Sequence, residues 1–177
     1  DTPGILFTSF PLATTSASEP TALSAADAAL LFESQFTSRT IDHTARWLRQ
    51  RGIGYYTIGS AGHESNAAVA MALRPTDPAL LHYRSGGFYL ARAGQVGHDG
   101  VRDILLGMAA AREEPIAGGR HKVFGHHELA VIPQTSTIAS HLPRAVGVAF
   151  AIEHAKQTGV ESAWPDDAIV VCTLGDA

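Results

Sequence analysis

Apolar and polar positions alternate along the chain in blocks whose periods predict its elements. Leu30, Leu31, Ile41, Ala45 and Leu48 fall on helical spacing down to Gly52. Ser24 and Asp27 resemble a capping box at the start of this block, with Asp in place of the usual Glu or Gln. Arg46, Arg49 and Arg51 gather in its last turn, where cations complement the helix dipole. The pattern predicts a first helix of roughly 25 residues, interrupted near Thr37–Ser38. Glu64 to Leu73 reads as a helix of small residues stopped by Pro75, and Ala79 to Arg84 as a short strand running into an aromatic and a cation. Asp99 caps a helix from Gly100 to about Arg112, with Ile104, Leu105, Met108 and Ala109 facing inward. A further helix follows Pro143 and runs to Gly159. It is apolar nearly all round from Ala145 to Ile152, a pattern that calls for a large core or a subunit interface. The last block, Ile169 to Leu174, is β-branched and uncharged, and reads as a strand buried on both faces of a parallel sheet.

Helices alternating with short strands indicate an α/β domain over residues 23–177, with a parallel sheet flanked by helices. Residues 1–22 have neither period and are rich in Pro, Ser and Thr, so an extended arm is expected, either mobile or wrapped over a neighbouring chain. The chain stops directly after its last strand, which is the expected mark of a fragment truncated beyond Gly175-Asp176. A length of 177 residues with 45% hydrophobic content suits one domain with a real core. The net charge of −4, with scattered basic residues, argues against nucleic acid as a partner. No apolar run approaches the roughly 20 residues of a membrane span. Cys172 is the only cysteine and the first basic residue is Arg39. An internal disulfide is thus excluded, a signal peptide is not expected, and a reducing, cytoplasmic location is.

Candidate chemistry lies where glycines meet polar side chains. The stretch 52–64 is denser in glycine than scaffold requires, and His63 ends it at a helix start, as a structural cap or as a functional group. Arg84, at a strand end before Gly86-Gly87, is placed either as a phosphate clamp or as a surface arginine. The loop from Gly118 to His127 carries His121, His126 and His127. Zinc lacks support there from helical histidine spacing or a nearby cysteine, so contact with an anionic substrate or cofactor is the better functional reading, against a solvated loop. Gly175 and Asp176 follow the last strand at the edge where open α/β sheets bind ligands. A carboxylate there suits Mg²⁺ carrying a phosphorylated cofactor, or else simply caps a turn.

These pieces occur in a familiar order. Gly62-His63-Glu64, Leu73 to Asp77, His82-Tyr83-Arg84, Gly119-Arg120, Thr137 to Pro143 with Ala145-Val146-Gly147, and Gly175-Asp176 are together specific. From Leu30 to Ala177 the chain resembles the α chain of the thiamine-diphosphate-dependent first component of 2-oxo acid dehydrogenase complexes, and looks most like the branched-chain type. The resemblance implies a thiamine-diphosphate-binding fold, thiamine diphosphate and Mg²⁺ as cofactors, and oxidative decarboxylation of a small 2-oxo acid with acyl transfer to a lipoyl carrier. It implies that Tyr83 and Arg84 contact the diphosphate, with His82 standing where many members have Gln. Backbone groups of Ser140 and Leu142 match those holding the aminopyrimidine, Gly175 approaches the diphosphate, and Asp176 is the first Mg²⁺ ligand. A substrate-side histidine follows Gly119-Arg120, and His126 is the expected choice. A β chain or fused β region, in a heterotetramer or fused dimer, is implied to complete the site, leaving this chain inactive alone. A lipoyl-bearing acyltransferase is the other implied partner. An acetoin-cleaving or transketolase-like enzyme and a non-catalytic scaffold of the same fold are the alternatives.

Overall fold

Ser24 opens the first helix as its sequence requires. Its Oγ accepts from the Asp27 N–H at 3.0 Å and its hydroxyl faces the Asp27 carboxylate at 2.7 Å. The computed structural model describes residues 23–121, 123–135 and 138–175, so the arm expected over 1–22 lies outside the described residues. Helix α1, Ala25–Gln50, passes through Thr37 and Ser38 without the expected interruption. Polar residues flanking that position are accommodated by hydroxyl bonds within the helix: Ser34 to the Leu30 carbonyl, Thr40 to that of Phe36 and Thr44 to that of Thr40. Its buried face is also more polar than the periodicity indicates, comprising Ser34, Ser38, Ile41, Asp42 and Ala45.

Helix α2, Asn66–Met71, is shorter than the expected 64–73. Strand β1 spans only Ala79–Leu80, and helix α3 follows over Gly86–Val96. No helix is predicted over α3 by the sequence pattern, yet it is the centre of the fold, with every residue from Gly86 to Ala93 buried. Its two leading glycines look like a flexible turn. They serve close packing instead: a Cβ on Gly87 would lie 2.7 Å from the Glu64 carbonyl oxygen, and one on Gly86 would lie 2.9 Å from Ser38 Oγ. Helix α4, Gly100–Met108, is capped by Asp99 as expected but ends four residues early. Helix α5, Leu142–Thr158, has Pro143 in its first turn and stops at Gly159, with φ of 70°.

Strand β2, Val171–Cys172, pairs in parallel with β1, Ala79 opposite Val171 and Leu80 opposite Cys172. Ala79 also bridges Val131 in parallel on its other side. Three extended segments therefore lie in the spatial order second, first, third of their chain order, with the order reversing between β1 and β2. The expected burial of Ile169–Leu174 on both faces is corrected. Ile169 is 56% and Leu174 43% exposed, because among the described residues β2 has a strand neighbour on one side alone. The apolar helix α5 likewise leaves Val146 and Phe150 about 70% exposed, and only Ala145 and Ile152 are buried along it. The architecture is α/β, and no described helix is long and apolar enough to cross a membrane.

The amino ends of β1 and β2 are tied by Asp77. Its carboxylate accepts from the Arg74 guanidinium at 3.0 Å, the Arg74 N–H at 2.9 Å and the Ile169 N–H at 3.0 Å. Burial alone would raise this carboxyl's pKa, but the donors, Arg74 foremost, outweigh it and hold it below the ordinary aspartate value. A depressed native pKa contributes stability that is complete above the unfolded value of about 4 and is lost as pH falls through the native one. Chemical denaturation from pH 6 to pH 2 should therefore show a loss of stability in acid that is shallower in Asp77→Asn.

Candidate functional site

Because β1, β2 and the Val131 segment run parallel, their carboxyl ends open on one edge. His82-Tyr83-Arg84, Thr173-Leu174-Gly175 and Pro133-Gln134-Thr135 meet there. The chain-order reversal between β1 and β2 is the position at which such sheets form a ligand crevice. Thr173 holds the edge together. Its Oγ1 accepts from the His82 N–H at 2.7 Å and pairs with the Ser85 hydroxyl at 2.9 Å, while its carbonyl meets His141 Nε2 at 2.8 Å. Gln134 closes the other side by donating its side-chain amide to the Leu81 carbonyl. The start of α3, the N-cap of α5 and both strand ends are thus joined through a few hydrogen bonds.

Within this edge His82 is buried, and its Nδ1 lies 3.4 Å from the Arg84 N–H. That contact leaves the proton of a neutral ring on Nε2. A Cβ placed on Gly175 would lie 2.9 Å from this Nε2 and 3.1 Å from Cε1. Glycine at 175 therefore keeps a narrow passage beside an N–H donor. Tyr83 and Arg84 are half-buried, with the guanidinium carbon 5.4 Å from the Tyr83 ring centroid. Arg84 is aimed by the Gly59 carbonyl, which accepts from Nη1 at 2.8 Å.

Gly59 is placed in turn by Asp42 of α1. The Asp42 carboxylate accepts from the Ser60 N–H at 2.9 and 3.0 Å, from the Ser60 hydroxyl at 3.0 Å and from Arg39 at 3.1 Å. A Cβ on Gly59 would sit 2.7 Å from that carboxylate. Sequence reading missed Asp42; its only signal was a lone acid among the apolar positions of α1. Tyr56 was missed as well. Burial first, then the Tyr83 phenol, push its pKa up to about 12 against the opposing pull of Arg84, so it stays a neutral hydroxyl near the cation.

Ser140 and Leu142 stand at the entry to α5, on the same side as His141. Ser140 lines a cavity of about 480 Å³ with His121, Gln134 and Arg144, and the Leu142 N–H closes a turn on the Ala139 carbonyl at 3.1 Å. His126 is not brought to this edge. It lines a separate cavity with Thr76 and Trp164, residues that lead into β1 and β2 from their amino ends. His121, from the same loop, is the histidine that shares a cavity with Ser140. Asp176, the expected metal ligand, lies outside the described residues. The arrangement as described can bind an anion: one fixed guanidinium, neutral hydroxyl and imidazole donors, and a glycine that lets a ligand pass close to the backbone.

Residues 33–177 match the dehydrogenase E1 component family. The chain belongs to that family. It is also 28% identical over 125 residues to the 2-oxoisovalerate dehydrogenase subunit alpha of Bacillus subtilis (strain 168), an alignment covering 68% of this chain and 36% of the relative. The chain thus spans about a third of the length of the curated relative it matches. The resemblance read from Gly62-His63-Glu64, Tyr83-Arg84 and Gly175-Asp176 agrees with both matches.

The narrow passage at Gly175 makes a direct prediction. In Gly175→Ala the new methyl meets a His82 ring that is 1% exposed and has no room to withdraw. A loss of about 1–2 kcal/mol of stability is expected from the overpacking. Urea denaturation checks this, and Gly175→Ala with His82→Ala should recover part of it by making room.

Proposed function

We propose that this chain forms the α half of a thiamine-diphosphate site that decarboxylates a 2-oxo acid, with a branched-chain acid as the preferred substrate. The observation that carries the reading is the convergence of Arg84, His82 and Gly175 at the carboxyl ends of two parallel strands. The residues present fit the group. A diphosphate needs a cation and N–H donors, and Arg84 with His82 Nε2 supplies both beside a glycine that admits close approach. Mg²⁺ fits the chemistry of Asp176, a hard oxygen ligand one residue beyond that passage.

When bound, thiamine diphosphate supplies the carbanion that attacks the oxo acid carbonyl and takes up the electrons left by CO₂. The chain's own residues bind and orient. Arg84 and Tyr83 fix the diphosphate end, and backbone groups at Ser140 and Leu142 hold the aminopyrimidine. The neutral Tyr56 hydroxyl can donate at any working pH. We assign the donor to the substrate carboxylate to His121 rather than His126, because His121 shares a cavity with Ser140 while His126 lines one toward the opposite sheet edge. The exposed apolar face of α5, with Val146 and Phe150, supports docking of a β partner that completes the site, and a lipoyl-bearing acyltransferase receives the acyl group.

Calorimetric titration of the full-length protein with thiamine diphosphate and Mg²⁺ tests the binding half. Turnover of pyruvate, 2-oxoglutarate and 2-oxoisovalerate with an artificial electron acceptor, in the presence of the partner chain, tests the reaction. Saturable cofactor binding with fastest turnover of 2-oxoisovalerate is expected. Absence of cofactor binding sinks the proposal.

A further inference from the structure

His98 follows α3 and His126 follows the glycine-bearing loop, 28 positions apart in sequence. Folding brings their rings into a tilted contact with centroids 4.2 Å apart, and Glu128 reaches the same point. One ligand atom from each of the three lies within 4.8 Å of the others. We propose that His98, His126 and Glu128 form a divalent metal site, distinct from the cofactor edge and suited to Zn²⁺.

Three features of the surroundings favour a metal over a simple ring contact. His98 Nε2 meets Asp103 Oδ2 at 2.7 Å, and the same oxygen accepts from the Tyr89 hydroxyl at 2.7 Å. That is the carboxylate–histidine pairing that orients a metal-binding imidazole. It holds the proton on Nε2 and leaves the Nδ1 lone pair available. His126 Nδ1 is buried and makes no hydrogen bond among the described residues, which is costly unless something else engages it. Glu128 is exposed and lines, with His126, a cavity of about 430 Å³, so an ion has an entry path and an open coordination position. Two imidazoles and one carboxylate are a borderline donor set that selects zinc over magnesium or calcium. A tetrahedral ion with bonds of about 2 Å spaces its ligands about 3.3 Å apart. Side-chain rotation, mainly of Glu128, is enough to close the remaining distance. Such an ion would pin the α3–α4 junction to the segment that bridges Val131.

The test is retention of Zn²⁺ by the full-length protein against a chromophoric chelator, with metal content measured by mass spectrometry. One equivalent per chain is expected to be retained by the wild type. Asp103→Asn should weaken zinc binding about 10–100-fold by freeing the His98 ring. His126→Ala and Glu128→Gln should each remove the tight equivalent, and His154→Ala on the exposed face of α5 should leave it unchanged. Glu128 is exposed, so Glu128→Gln remains informative if His126→Ala fails to fold. A wild type without a tight equivalent, or one unchanged in both His126→Ala and Glu128→Gln, overturns the site. Neither outcome depends on thiamine diphosphate, so failure here leaves the cofactor proposal standing.

Discussion

Replacing Arg84 with Met should weaken thiamine diphosphate binding by about 3 kcal/mol, or a little over a hundredfold, while leaving the fold intact. The guanidinium is fixed just beyond the end of β1 by the Gly59 carbonyl, and a charge-assisted hydrogen bond to phosphate contributes about 1.5–3 kcal/mol. Two such bonds in a fork geometry exceed that figure, and the loss of the Gly59 contact frees the 59–60 turn only in part. Asp42 still holds Ser60 through three donor contacts. Arg84→Lys should recover the charge but not the fork, giving intermediate affinity. Calorimetry reads the affinity and thermal denaturation reads the fold. Unchanged affinity in Arg84→Met would remove the diphosphate from this edge.

Arg92→Ala should cost the fold about 4 kcal/mol, the largest stability effect expected of any single side chain described here. Arg92 is fully buried in the middle of α3, and its Nη1 is shared by the carbonyls of Pro75 at 3.2 Å, Asp77 at 2.9 Å and Leu129 at 3.0 Å. The guanidinium carbon lies 5.0 Å from the Phe88 ring centroid. Burial pulls the pKa of Arg92 below the ordinary arginine value, with Asp77 opposing. Truncation leaves three carbonyls without this donor and a void under the loop that carries Leu129. Arg92→Met fills much of the void without restoring a donor, so the difference between the two variants separates packing from hydrogen bonding. Urea denaturation of both measures it. If Arg92→Met proves as stable as the wild type, the buried charge is being tolerated rather than used.

These two arginines show how unevenly the sequence discloses its own structure. Arg84 was legible because a cation at a strand end before two glycines has few uses. Arg92 looks like any polar residue between alanines, and nothing in the chain marks it as the link between α3 and two loops. Helix α3 itself was illegible for a related reason. Gly86, Gly87 and Gly94 weaken helix propensity, and the close approaches to Ser38, Glu64 and Leu30 that justify them lie outside the local sequence. The expected break at Thr37–Ser38 does not occur: α1 runs through it, and the flanking hydroxyls of Ser34 and Thr40 bond back to carbonyls of the same helix.

The sequence by itself determined helices α1, α2, α4 and α5, the α/β class, the caps at Ser24 and Asp99, and the placement of Arg84 and Gly175 at strand ends, because these follow from period, capping chemistry and backbone freedom. Only the tertiary structure decided which histidines meet. His121 and His126 are five positions apart in one loop, yet they line different cavities. His98 joins His126 from the connection between α3 and α4. Local spacing carries no information about such meetings, since strand pairing and helix packing set them at long range.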